Sequence, residues 1–326
     1  MTQIEHMPSV AMQFISDGRG AALATVISTW GSAPRPAGSQ LAISEDGAFF
    51  GSVSGGCVEG AVILEAQAAI ADGQCRVLDY GVADEEAFAV GLACGGDIKI
   101  LVEPIGVGDG PTVALITELV KAAEERRAIG YQVNLSTWER SLVTPVNAPD
   151  AFAADKSMLD GDTYVGVFNP PLRMAIVGAV HITQSLAAMA RMAGYTVYLV
   201  DPRDSFATKE RFPDDQFIDE WPDDAMDAIG LDPRTAVVTL THDPKMDNPA
   251  LERALKSDAF YIGALGSRKT HAKRVAHLQS AGFSESEIAK IHAPIGADIG
   301  SKSPAEIAIS TMAEITERLR RPETRR

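Results

Sequence analysis

Two cysteines in this chain stand against paired glycines. Cys57 follows Ser54-Gly55-Gly56, and Cys94 precedes Gly95-Gly96. A structural cysteine is usually wrapped in apolar neighbours. Glycine instead leaves a thiol reachable and lets a ligand come close to the backbone. At the first site a strand-like run feeds a glycine turn that opens a helix, and free N–H groups at a helix start form an anion site. A thiol there is favoured as thiolate, which ligates soft metals or handles sulfur. The residues alone leave the bland alternative open at both positions: a tight turn with an inward-packed thiol.

Three further places carry chemistry. Arg35 lies in the loop Gly31-Ser32-Ala33-Pro34-Arg35-Pro36-Ala37-Gly38, whose prolines stiffen the chain around a planar, permanently charged fork suited to phosphate. Ile176-Val177-Gly178-Ala179-Val180-His181 occupies the position of a dinucleotide-binding glycine turn, and Asp201 stands where the ribose-binding acid would stand. Only the first glycine of that fingerprint is present. Val180 and Thr183 replace the other two, which speaks against NAD(P). His181, at the helix start, is a candidate ligand contact or an ordinary histidine. Finally, Gly266-Ser267-Arg268-Lys269 puts cations at a helix start, against the macrodipole, where a bound phosphate would offset them.

The elements that must position these residues follow from the apolar pattern. Residues 4–16 read as a helix, 21–28 as a strand, and 41–44 with 48–53 as a hairpin. A helix is expected from about Cys57 to Ala71, strands at 75–80 and 98–102, a helix at 112–128, and strands near 131–137 and 140–145. From Leu172, short buried strands alternate with helices, which implies a parallel sheet covered on both faces. The fold class is therefore α/β. An N-terminal α+β domain at 1–150 is followed by a Pro- and Asp-rich linker at 151–171 and a Rossmann-like doubly wound domain at 172–326.

Composition excludes several classes. The chain has 326 residues and a formal net charge of -15, which argues against nucleic acid as a partner. No apolar run is long enough to span a membrane, and the acidic start with no signal-peptide core points to the cytoplasm. The 3 cysteines include no CxxC pair, so neither a disulfide framework nor a zinc finger fits. Cys75, entering a strand, reads as structural. There is no GxxxxGK[ST] and no HExxH, and the 6 histidines lack metal-ligand spacing. Gly51-Ser52-Val53-Ser54-Gly55 resembles a nucleophile elbow with valine at its centre.

The stretches Pro34-Arg35-Pro36-Ala37-Gly38-Ser39-Gln40, Gly51 through Glu59 and Gly91 through Gly96 resemble the N-terminal domain of the XdhC/CoxI family. Asp201-Pro202-Arg203, Thr241-His242-Asp243-Pro244, Gly263 through Arg268 and His292 through Gly300 resemble that family's Rossmann domain. The resemblance implies an accessory protein that holds the molybdenum cofactor (molybdopterin) for sulfuration and passes it to a molybdenum hydroxylase, such as xanthine or carbon monoxide dehydrogenase. It implies a cysteine desulfurase as sulfur donor, a homodimer, and no turnover chemistry. Cys57 and Cys94 would face molybdenum. Arg35, Ser54, Gly55, Gly56, Gly95 and Gly96 would line the cofactor, with Gly178, His181, Asp201, Ser267 and Arg268 as further contacts. The family usually shows Gly-Ala-Gly-His where this chain has Gly178-Ala179-Val180-His181. The rival readings are an NAD(P)-dependent oxidoreductase and a protein-interaction adaptor.

Overall fold

The computed structural model describes residues 6–31, 35–81, 96–203 and 205–321. The chain forms two compact units, Met1–Pro170 and Pro171–Arg326.

The first unit contains α1 (Met7–Ser16), β1 (Ala21–Trp30), β2 (Gln40–Ser44), β3 (Phe49–Gly51), α2 (Glu59–Asp72), β4 (Arg76–Tyr80), β5 (Asp97–Pro104) and α3 (Val113–Glu124). Its five-stranded sheet has the order β3-β2-β1-β5-β4, and every neighbouring pair is antiparallel. The β1 strand is central and buried along most of its length, as its run of Ala, Leu, Val and Ile requires. One face packs against α2 through Val62, Ala66 and Ala69. The other packs against α1 and α3 through Ala11, Phe14, Ile116 and Leu119. The register of β1 against β5 shifts between Val26 and Ser28, a bulge that re-aims the last turn of the strand. The α2 helix stops at Gly73, whose φ of 75° is the left-handed cap that glycine supplies cheaply. The helix expected from Cys57 begins at Glu59, so Cys57 belongs to the preceding turn.

The expected linker is not one. After β6 (Ile129–Asn134) and β7 (Arg140–Val143), residues 149–168 form α4 (Pro149–Ala154), β8 (Met158–Asp160) and β9 (Thr163–Phe168). The β9 strand pairs with β6 from Ile129↔Phe168 to Asn134↔Thr163, giving a four-stranded antiparallel sheet of order β7-β6-β9-β8. Phe152 and Tyr164 are buried. The Asp- and Pro-rich composition of this stretch hides a strand, Tyr164-Val165-Gly166-Val167-Phe168, whose aromatic and β-branched residues suit a half-buried sheet.

The second unit contains β10 (Arg173–Val177), α5 (His181–Met192), β11 (Thr196–Val200), β12 (Gln216–Ile218), α6 (Pro222–Ile229), β13 (Thr235–Thr239), α7 (Pro244–Leu255), β14 (Tyr261–Ala264), α8 (Arg268–Ser280), α9 (Glu285–Ile288), β15 (Ile291–His292) and α10 (Pro304–Arg320). The six strands are parallel in the order β12-β11-β10-β13-β14-β15. This is the doubly wound arrangement, with its switch point between β10 and β13. Helices α5 and α10 cover one face through Leu186, Ala190, Ala308 and Ile315. Helices α6, α7, α8 and α9 cover the other through Met226, Leu251, Leu278 and Ile288. At Ser303 a capping box with Glu306 opens α10, with Pro304 as its first helical residue. Among the described residues, no helix is long and apolar enough to cross a membrane.

Candidate functional site

The antiparallel order of the first sheet brings several loops to one of its ends. The end of β1 at Trp30, the start of β2 at Gln40, the end of β3 at Gly51, the end of β4 at Tyr80 and the start of β5 at Asp97 all face this end, but in a staggered edge: Gln40 pairs with Thr25, whereas Asp97 pairs with Trp30 further along β1. The loop of Arg35 spans from β1 to β2 at this end, and the Ser52–Val58 turn leaves β3 from it. Gly81 and Gly96 flank β4 and β5 on the same side. Cys94 and Gly95 lie outside the described residues. Gly96 is buried, and Asp97 lies so close to Gly81 that a Cβ there would meet its Oδ1 at 2.6 Å.

The turn that presents Cys57 is built around Glu59. Glu59 Oε1 accepts from the amides of Val53 at 3.1 Å, Ser54 at 2.9 Å and Gly55 at 3.1 Å, and from Ser52 Oγ at 2.8 Å. Its Oε2 accepts from the Gly56 amide at 2.8 Å and from Ser54 Oγ. Ser54 Oγ in turn accepts from the amides of Cys57 at 3.0 Å and Val58 at 2.9 Å. Burial by itself would raise the Glu59 pKa. The bonds from Ser54 and Ser52 outweigh it and bring the carboxyl down to about 2. The amides that cradle an anion belong to the turn at residues 53–56 before α2 rather than to the expected helix start, and the chain fills that cradle with its own carboxylate. The Gly55 and Gly56 amides are therefore not free for a phosphate, and buried Ser54 is a brace rather than a ligand contact.

Cys57 itself remains half-buried at the edge of the α2 core. Gly55 and Gly56 have φ of 79° and 115°, the left-handed region that favours glycine. A Cβ on Gly56 or Gly60 would meet nothing within 4 Å. The thiol thus sits on a braced turn whose neighbours Gly56 and Gly60 are open to solvent. Arg35 is exposed, and so is Trp30, with 73% of its surface open. Cys75 stands apart: its Sγ lies 3.1 Å from Arg140 Nη2, and burial together with the Glu103 carboxylate pushes the thiol up to about 12. Such a thiol stays protonated and inert.

In the second unit the predicted residues come to the carboxyl edge of the parallel sheet, where doubly wound folds bind ligands. Gly178 has φ of 105°, and a Cβ there would meet Thr241 Cγ2 at 2.5 Å. Thr183, in place of the third glycine, is accommodated because its hydroxyl donates to the Gly178 carbonyl at 2.6 Å. His181 is exposed at the first position of α5. Asp201 is not available to a ribose. Its carboxylate, fully buried, accepts from the Ala179 amide at 2.8 Å, the Arg203 amide at 3.1 Å, and Arg203 Nε and Nη2 at 2.7 Å each. Burial alone would raise its pKa. The bonds from Arg203 and Ala179 hold it below the usual carboxylate range. Ser267 is spent as the cap of α8, accepting from the Thr270 amide at 3.2 Å, while Arg268 is exposed. Gly178→Ala should lower the stability of this unit by about 3 kcal/mol through strain and overlap, read as a lowered denaturation midpoint.

Two family patterns match this chain: the XdhC and CoxI family over residues 14–81, and the XdhC Rossmann domain over residues 174–315. A relative from Escherichia coli strain K12, named molybdenum cofactor insertion chaperone PaoD, is 32% identical over 306 residues, 94% of this chain and 85% of its own length. The chain belongs to the XdhC and CoxI family. A second relative, from Bacillus subtilis strain 168 and named as a probable subunit of xanthine dehydrogenase, is 26% identical and covers 94% of this chain and 96% of its own. A crystal structure described as a xanthine dehydrogenase from Bacillus halodurans shares the fold at a TM-score of 0.62 and 22% identity, covering 98% of this chain and 97% of that one.

For this XdhC and CoxI protein, four residues of these networks escape the sequence pattern. Glu59 is visible in the Cys57 segment, but its spacing of five from Ser54 is not that of a capping box. Arg203, two residues from Asp201, is visible only as part of the family resemblance. The buried pair Asp247 and Arg274 lies on two helices, at 3.4 Å, and nothing in either helix marks the contact. His242, at φ 61°, adds a strained turn at the switch point.

Proposed function

We propose that this protein binds the molybdenum cofactor as cargo, keeps it during sulfuration, and hands it to a molybdenum hydroxylase. The observation that carries the reading is the Cys57 turn: a half-buried thiol on a glycine turn braced by Glu59, beside the exposed Gly56. The same sheet end carries Arg35, exposed Trp30 and the flanks of the Cys94 segment. A thiolate is the donor that a soft metal centre needs, and an exposed indole offers a planar pterin a stacking face. The name of the PaoD relative supports the same role. Cys57 and Cys94 would meet the metal end, and Arg35 would meet the phosphate. Gly178, His181 and Arg268 are proposed as contacts of the second unit for a phosphate or nucleotide. A cysteine desulfurase as sulfur donor, a homodimer and a cytoplasmic setting complete the proposal.

The test is co-expression with the cofactor pathway, anaerobic purification, and assay of molybdenum and oxidised pterin. Wild-type protein should carry both in near-equal amounts. If it carries neither while a known carrier prepared in parallel does, the cargo reading is wrong.

A further inference from the structure

Behind the start of α8 sits a cation whose donors are largely unused. Only 4% of the Arg274 side chain is exposed. Its Nη2 donates to the Leu265 carbonyl at 3.2 Å and stands 3.4 Å from Asp247 Oδ2. Its Nε and Nη1 are sealed from solvent and meet no acceptor among the described residues. The Thr239 hydroxyl, at the end of β13 and on the same sheet face as Val237, is likewise buried without a partner. Asp247 faces the guanidinium through Oδ2 alone, since Oδ1 accepts from Thr241 Oγ1 at 2.6 Å.

In front of Arg274, the first turn of α8 has the character of an anion receptor. Ser267 caps the Thr270 amide, and the amides of Arg268 and Lys269 meet no partner among the described residues. Both side chains are exposed cations at the positive end of the helix macrodipole. A helix side chain leans toward the N-terminus, so Arg274 reaches back to the Leu265–Ser267 turn. Gly266 leaves that turn without a Cβ. A buried guanidinium that reaches the Leu265 carbonyl, two free amides and two surface cations therefore lie around one turn at the carboxyl edge of the sheet.

We propose that the first turn of α8 is a phosphate subsite, in which Arg268 and Lys269 receive the anion with their amides and side chains and Arg274 turns its spare donors to it from behind. The ligand is a phosphate ester or diphosphate, whether carried by a nucleotide or by another cofactor. Charge-assisted, forked hydrogen bonds are what a guanidinium gives such a group. The inference rests on the second-unit part of the proposed function, in which Arg268 meets a phosphate, and adds Lys269 and Arg274 to it; it is independent of the first unit.

Calorimetric titration of the full chain with inorganic pyrophosphate tests it. A nucleoside diphosphate and the uncharged nucleoside serve as further arms. Pyrophosphate should bind, and the surface double variant Arg268→Ala with Lys269→Ala should weaken it roughly tenfold or more. Arg274→Lys, which keeps the charge but loses the fork, should weaken it comparably in protein with an unchanged melting profile. A nucleoside diphosphate that binds tighter than pyrophosphate, while the nucleoside alone does not bind, would assign the phosphate to a nucleotide. Equal binding of the two would assign it to the phosphate alone. No pyrophosphate binding by wild type, or binding indifferent to the surface double variant, overturns the subsite. Cofactor content measured on the same preparations separates the two proposals. An empty wild type that still binds pyrophosphate sinks only the cargo reading, and a loaded wild type that ignores pyrophosphate sinks only this one.

Discussion

Glu59→Ala should lower the unfolding free energy of the first unit by about 4 kcal/mol. The Glu59 carboxylate meets four backbone amides and two hydroxyls. Without it, Gly55 and Gly56 can turn to water, since both are exposed, but Val53 and Ser54 are buried and cannot. Each orphaned buried donor costs about 1–3 kcal/mol. Glu59→Gln is no conservative repair, because every atom around the carboxylate is a donor and the new NH2 would face another. It should forfeit more than half of the same stability. Urea titration followed by circular dichroism reads both. An alanine variant as stable as wild type would remove Glu59 from its role as brace.

The same residue sets an acid limit. Its folded pKa, about 2, lies below the ordinary value of 4.5. A depressed carboxyl stabilises the fold above its unfolded pKa and loses that contribution as pH falls through its folded pKa. The loss therefore begins near pH 4.5 and is complete near pH 2, at a cost on the order of 2 kcal/mol. In Glu59→Ala this component of the acid dependence should vanish.

Cys57→Ser should strip the cofactor from purified protein while leaving the fold intact. The Cys57 amide, not its thiol, takes part in the brace, donating to Ser54 Oγ at 3.0 Å. Serine keeps that bond and nearly the same volume, so the melting profile should stay within about 0.5 kcal/mol of wild type. The thiolate is a different matter, since a hydroxyl is a poor ligand for a soft metal. Losing even a supporting group of a metal site costs roughly 10–100-fold in affinity, and losing a ligand costs at least that. Bound molybdenum and pterin should fall by a similar factor in Cys57→Ser and in Cys94→Ser. Cys75→Ser is the internal control, because its half-buried, protonated thiol has no part in the site. Undiminished cofactor in the Cys57 and Cys94 double variant would clear both cysteines of metal binding.

Much of the fold is legible in the sequence, for identifiable reasons. Strands such as Met174 through Val177 are buried on both sides and read as unbroken apolar runs, and Gly73 and Ser303 mark helix ends with their own chemistry. The stretch 149–168 is not legible, because Asp, Ala and Pro dominate its composition while its strand depends on pairing with β6, well back along the chain. The site is legible in its residue types rather than in their duties. Gly55, Gly56 and Cys57 announce a special turn. Whether its amides face a ligand or the chain's own Glu59 depends on a side-chain rotamer that no spacing rule encodes. Asp201 illustrates the same limit: its position fits a ribose acid, yet Arg203 and the Ala179 amide already occupy both oxygens.

The carboxylate within the Cys57 turn also bears on how a carrier lets go. A loop that waits for an external anion must fold around its guest on arrival and come apart on departure, and both steps add an ordering barrier. Here the amide cradle is occupied by Glu59, so a guest at the thiol would not have to order the backbone around itself. If the protein carries the cargo proposed above, uptake and surrender would differ only in which partner offers the better bonds at the moment of contact, and the direction of traffic would be left to the client.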